Sequence, residues 1–460
     1  MPALILAALM VSAFVIQLSN FKNSRYRTID EDVYYFLGHQ LNTGGLLNYN
    51  TIPYAEEVIA HGRPLPKYFT EPLFKYPPLF SAFIALSMRI FGNKSTSAIY
   101  VPLLFGSLLI LVTYLLGSTV FNNRIGLLSA VLAWMDPVTI ICSQKIWMET
   151  TLAFFMVLAV YIFVLGLKYN RDSLFILSGF VSGLATSVKY PGVLATGAIL
   201  IYVFAYRVDL LRNKKFIFSL FMPFIILLPW VYLNYRVYGT AFLTTNVLVH
   251  FSPEWFAQNW RKIALFTVAA AGAGMMFRIL VRKSWNKGLK PLPPSSSFQL
   301  LPWLSIIFLI LLSKYIIHGL QFTFLPKTSW YHGGFGGESP IFYLGRLIEF
   351  SLIYFFAFSA FFTDRDSEDE GAVIRLGALI ILLFFILWGN YQSRYILPAI
   401  PFLLILASEQ IHSLAERIER YPTRQRLIMK ILLICTLAFI CVKTFYINFN
   451  LSYPNDQCYF

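Results

Sequence analysis

The sequence predicts an all-α polytopic membrane protein. Three observations carry that prediction. The chain is 57% hydrophobic and only 13% charged, where a soluble domain carries about 25% charged residues. Its apolar residues gather into runs close to the roughly 20 residues that cross a bilayer. Phe (44) and Tyr (27) are abundant, as expected where side chains line apolar pockets and membrane interfaces.

Taken in order, the runs predict spans at 2–19, 98–118, 125–142, 149–167, 174–188, 191–206 and 216–235. Further spans are predicted at 263–281, 299–317, 347–362, 376–390, 395–411 and 429–447. That makes about 13 spans, with a partial or interfacial helix at 79–91. The first run, PALILAALMVSAFVIQLS, has no basic region before it. It is expected to be a retained helix, not a cleaved signal.

Placing the N-terminus in the cytoplasm puts the basic connections RVDLLRNKKF (207–216), RKSWNKGLK (282–290) and HSLAERIERYPTRQRLIMK (412–430) inside. The positive-inside rule asks for this. The acidic TDRDSEDEG (363–371) becomes a solvated cytoplasmic turn. Outside fall 20–97, 142–148, 188–191, 236–262, 318–346 and 390–395. The expected organisation is a module over 1–206 with a long first extracytoplasmic loop, 20–97. Additional helices follow over 207–447, with loops 236–262 and 318–346, then a short polar tail at 448–460.

The net charge is +15, much of which cytoplasmic Lys and Arg explain. No helix-turn-helix, zinc-finger or RNA-binding pattern is present, so no nucleic-acid partner is expected. The four cysteines, Cys142, Cys435, Cys441 and Cys458, form no CxxC pair. The six histidines show no HExxH, which argues against a zinc site. A divalent cation on Asp30 and a second acid is compatible with hard-cation chemistry.

The outer face collects isolated charges: Asp30, Glu31 and Asp32 after the first span, Lys75 in KYPPLF, Lys145 and Glu149 in SQKIWMET, Lys189 in SVKYPG and Arg394 in NYQSRYILP. Charges beside membrane spans are costly unless paired, hydrated or used. Lys and Arg suit a phosphate, and a carboxylate can take the proton of an attacking hydroxyl. Buried ion pairs or interface markers are the plainer reading of the same residues. KYPPLF predicts a rigid helix entry. SWYHGGFGGES (329–339) predicts a glycine-rich outside loop, not a nucleotide loop, because it lacks the GxxxxGK spacing.

Five motifs in order resemble the polyprenyl-phosphate-sugar-dependent glycosyltransferases of the C superfold (GT-C), in the branch of protein O-mannosyltransferases and aminoarabinose transferases. They are Asp30-Glu31 with Tyr34, Pro77-Pro78-Leu79, Lys145 four before Glu149, GLATSVKYPG with Lys189, and RYILPAIP from Arg394 to Pro401. The resemblance covers most of the chain and is best over 25–205. It implies a sugar donor on a polyprenyl phosphate, a hydroxyl acceptor on a glycan, lipid or protein, and a bacterial or archaeal plasma membrane with the site outside. Asp30 is then the expected base and Lys189, with Arg394, the expected donor-phosphate contact. Glu149 would join Asp30 in catalysis, supported by Glu31, Lys75, Lys145 and Tyr34. Inversion at the anomeric carbon and metal use in some branches are also implied. The chain departs from the pattern in having Lys75-Tyr76 where His often precedes the prolines, and Glu149 where some relatives have Asp. A secondary transporter or lipid-linked sugar flippase is the alternative, expected to show two matching halves with a midplane path. An assembly protein would explain the spans but not the convergent charges.

Overall fold

Capping residues and prolines divide the apolar chain into helices. The protein, as a computed structural model, is described here over residues 2–23, 28–60, 62, 76–239, 342–361, 369–388 and 392–451. Helix α1 (Pro2–Asn23) is followed by α2 (Ile29–Gly44), which opens on a capping box. Thr28 Oγ1 accepts from the Glu31 N–H, and the Glu31 carboxylate accepts from the Thr28 N–H at 2.9 Å. Then come α3 (Ile52–Ala60), α4 (Leu79–Phe91), α5 (Ser95–Val120) and α6 (Asn123–Met135). Asn122 starts α6 by accepting from the N–H groups of Arg124 and Ile125.

Helix α7 (Pro137–Ser143) is bent by 59° from α6. Pro137 disfavours a helical Asp136, and the Asp136 carboxylate caps the new helix by accepting from Thr139 N–H at 2.8 Å. Helix α8 (Glu149–Tyr169) leads to α9 (Asp172–Val188), α10 (Leu194–Tyr206) and α11 (Lys214–Tyr238). The later helices are α12 (Phe342–Phe350), α13 (Tyr354–Ser359), α14 (Asp369–Trp388), α15 (Ile400–Glu419) and α16 (Thr423–Leu451).

Helices α5, α8 and α15 form the interior. Helix α5 packs on α1, α6 and α8, and α8 packs on α9. Helix α15 packs on α6 and α13, and nearly all of Ser393–Glu419 is buried. By contrast α1, α11 and α16 expose Leu4, Phe224, Leu228, Ile434 and Val442, a distribution that suits lipid contact. Helices α9 and α11 touch backbone to backbone: a Cβ on Gly179 would lie 2.1 Å from the Ser219 carbonyl oxygen.

The expectation of about 13 spans is corrected. Among the described residues six helices are long and apolar enough to cross a membrane, or seven if the bent pair α6–α7 counts as one. The 347–362 run is no span, because it breaks at Ser351 between the short helices α12 and α13. The runs at 174–188 and 191–206 form apolar helices of 10–17 residues, as does 79–91, and most of the 376–390 run lies in α14. Hydropathy marks burial in protein as strongly as burial in lipid, which is why these runs resembled spans. The first loop, 20–97, is largely helical where described, since α1 continues to Asn23 and α2, α3 and α4 follow. The expected spans 263–281 and 299–317, Lys75, the 329–339 loop and most of the loops 236–262 and 318–346 lie outside the described residues.

Candidate active site

Four element ends from distant parts of the chain meet at one place. Asp30 lies in the first turn of α2, and Glu149 is the first residue of α8. Both acids benefit from the positive end of a helix dipole. Lys189 follows the last residue of α9, and Arg394 lies in the 3-10 segment Ser393–Ala399 that enters α15.

The side chains form one alternating chain of charge. Lys189 Nζ donates to Glu149 Oε1 at 3.0 Å. Arg394 Nε lies 3.8 Å from the same oxygen, and Arg394 Nη2 donates to Asp30 Oδ2. Glu149 Oε2 is buried and has no hydrogen-bond partner. Burial is uneven in a useful way. The side chains of Glu149, Arg394 and Lys189 are 1%, 7% and 11% exposed, while that of Asp30 is 39% exposed. Of the two acids in the network, Asp30 is therefore the one that reaches open space.

Aromatic rings hold the cations. Lys189 Nζ lies 4.3 Å from the centre of the Tyr395 ring and 6.0 Å from that of Tyr76. The Arg394 guanidinium lies 4.4 Å from the centre of the Trp147 ring, a geometry that favours a desolvated cation. Tyr34 packs against Tyr76 and Phe80. Burial pushes the Tyr34 and Tyr76 phenols well above their ordinary range, so both stay neutral. The turn carrying Lys189 is fixed from below. A Cβ on Gly192 would lie 2.2 Å from the Ala185 carbonyl carbon, so only glycine lets the YPG turn sit on α9.

Glu31 is placed differently from its neighbour. It caps α2 and accepts from the Ile146 N–H at 3.1 Å, tying α2 to the segment before α8. Burial raises its carboxyl, opposed by the nearby charge of Lys145. Lys145 itself is buried. Thus Asp30, Glu149, Lys189 and Arg394 come together, Tyr34 stands beside them, and Glu31 with Lys145 lies behind them. Trp147, Tyr395 and Gln392 were not singled out from the sequence, and Tyr76 was noted only as the residue after Lys75. The one signal for them was their position beside Lys75, Lys145 and Arg394, and aromatics are too common in this chain for that to stand out.

A divalent cation fits this donor set poorly. Calcium takes 6–8 oxygens, and magnesium wants near-octahedral oxygen geometry. The described site offers two carboxylates, each already paired with a cationic side chain. Among the described residues no group of three or more His, Cys, Asp or Glu gathers into a metal site.

Comparison with known proteins agrees with this architecture. The family model of dolichyl-phosphate-mannose-protein mannosyltransferases matches residues 75–233. No curated protein gives a significant sequence match. The structure is similar to ArnT from Cupriavidus metallidurans in the apo state, at 13% identity and a TM-score of 0.58, covering 98% of this chain and 77% of that one. It is similar to the same protein bound to undecaprenyl phosphate, at 13% identity and a TM-score of 0.55, covering 98% and 74%. It also resembles the archaeal oligosaccharyltransferase AglB from Archaeoglobus fulgidus in complex with an inhibitory peptide and a dolichol-phosphate. There the identity is 16% and the TM-score 0.54, covering 97% of this chain but only 56% of that one. The chain thus spans about half the length of that oligosaccharyltransferase. Over residues 75–233 the chain is thus similar in sequence to the dolichyl-phosphate-mannose-protein mannosyltransferase family, and it shares the membrane fold of the ArnT and AglB structures.

Proposed function

We infer that the protein transfers a sugar from a polyprenyl-phosphate-linked donor to a hydroxyl acceptor at the extracytoplasmic membrane face. The observation that carries this reading is the pairing of a partly exposed carboxylate, Asp30, with the buried Arg394, which Glu149 links in turn to the buried Lys189. Such a site offers a base and an anion clamp side by side. The similar structures of ArnT bound to undecaprenyl phosphate and of AglB in complex with a dolichol-phosphate support the same donor chemistry.

In the proposed reaction the acceptor hydroxyl oxygen attacks the anomeric carbon as its proton passes to an Asp30 carboxylate oxygen. The bond from the anomeric carbon to the phosphate oxygen breaks, and polyprenyl phosphate leaves against Lys189 and Arg394. Attack opposite the leaving group gives inversion. The unpartnered Glu149 Oε2 accepts from a substrate hydroxyl and orients it. Burial of the clamp strengthens its effect on the charge that develops on the phosphate. The charges meet at the ends of elements.

The test is donor dependence. Asp30→Asn is expected to retain insertion and folding and to lose transfer. Lys189→Ala is expected to raise the donor KM more than the acceptor KM. Wild-type turnover by Asp30→Asn removes Asp30 as the base, and an unchanged donor KM in Lys189→Ala removes the clamp.

A further inference from the structure

Beside the buried Glu149 carboxylate, Arg394 has two fixed supports and one exposed partner able to leave. Trp147 lies under its guanidinium at 4.4 Å, and Gln392 Oε1 accepts from its Nε at 2.8 Å. Trp147 is itself held, because its indole N–H donates to Thr28 Oγ1 at 3.1 Å, and Thr28 caps the helix that carries Asp30. The leaving partner is Asp30, the most exposed side chain of the four-charge network.

This geometry contains a conflict. A carboxylate that accepts from a guanidinium is stabilised in its charged form and is a weak base. A donor phosphate needs that same guanidinium, since planar donors suit phosphate oxygens as well as carboxylates. With Asp30, Glu149, Lys189 and Arg394 all charged, the network is neutral. Bringing in a phosphate adds negative charge beside Asp30, which favours proton uptake by that carboxylate.

We propose that Arg394 exchanges partners, holding the Asp30 carboxylate in the free protein and the donor phosphate in the complex, with Trp147 as the positioning residue on which it turns. The exchange rests on the glycosyl-transfer reading given above. It makes Asp30 a competent base only after the donor has arrived, so the donor must bind before the acceptor hydroxyl is deprotonated. Trp147 keeps Arg394 over the site while its partner changes.

The test is equilibrium binding of undecaprenyl phosphate, with undecaprenol as the uncharged control, to protein in nanodiscs. Asp30→Asn removes the competing charge and should bind the phosphate about tenfold more tightly, a difference of about 1.4 kcal/mol. Asp30→Glu retains the charge and should show no such gain. Asp30→Ala provides the same comparison if the Asn variant is recovered misfolded. Trp147→Leu should weaken phosphate binding and shrink the gain made by Asp30→Asn when the two are combined, which a role in folding alone would not do. If wild type prefers the phosphate to the alcohol but Asp30→Asn binds it no more tightly, the exchange is wrong and the clamp stands. If wild type does not distinguish phosphate from alcohol, the transfer reading falls first and the exchange falls with it.

Discussion

Lys189→Met tests whether the buried network holds the structure as well as the substrate. The substitution keeps an unbranched apolar stem but deletes the ammonium that Glu149 Oε1 accepts from at 3.0 Å. Glu149 is then a buried carboxylate whose other oxygen has no partner. Removing one member of a buried ion pair costs about 3–5 kcal/mol, because the remaining charge is uncompensated. Arg394 Nε, 3.8 Å from the same oxygen, can close on it and supply part of what is lost. The expected cost is therefore at the low end, about 3 kcal/mol. Adding Glu149→Gln removes the stranded charge and should recover at least about 1.5 kcal/mol, so the pair of substitutions is strongly non-additive. Reversible denaturation in mixed micelles, followed by tryptophan fluorescence, measures all four members of the cycle. A loss below about 1 kcal/mol for Lys189→Met, or costs that simply add, would refute the claim that Glu149 depends on Lys189.

Two further outcomes are expected. Gly192→Ala forces a Cβ into the α9 backbone and should cost about 1–3 kcal/mol. It should also displace Lys189 and raise the donor KM, which steady-state transfer kinetics would show. Glu31→Gln should leave donor and acceptor KM unchanged while destabilising the protein in acid by about 1–2 kcal/mol, since the amide cannot accept from Thr28 and Ile146 together. Its stability profile carries a sign. Burial raises the Glu31 carboxyl in the folded state, so its contribution is fully present below the unfolded value of about 4.3 and is lost as pH rises through the folded value. Wild type minus Glu31→Gln stability should therefore fall with rising pH across that window. A flat difference would contradict the burial argument.

Much of the candidate site was legible in the sequence because it is built from charges that a membrane tolerates only for a reason. Alternating the chain across the bilayer put Asp30, Glu149, Lys189 and Arg394 on one face, and the structure joins them in one network. Glu31 was harder to separate from Asp30. The Thr28 to Glu31 spacing is a capping-box signal, yet the acidic run drew attention to charge and hid the cap. Trp147 and Tyr395 were hidden by abundance, since an aromatic next to a base is unremarked in a chain this rich in Phe and Tyr. The helices were legible as apolar runs, but their lengths were not. The break at Asp136 and Pro137 bends one expected span by 59°, and the 347–362 run proved to be two short buried helices. A one-dimensional hydropathy pattern does not say whether lipid or protein covers a residue.

Glycosyl transfer from a polyprenyl-phosphate donor is tested most directly by a transfer assay in nanodiscs. A panel of radiolabelled polyprenyl-phosphate sugars would be offered with total membrane acceptors to wild type and to Asp30→Asn, both shown to be folded. Wild type is expected to move label from at least one donor to an acceptor, and Asp30→Asn to move none. Label that crosses the bilayer of sealed vesicles while still attached to its polyprenyl phosphate, with no transfer from any donor, would contradict that expectation.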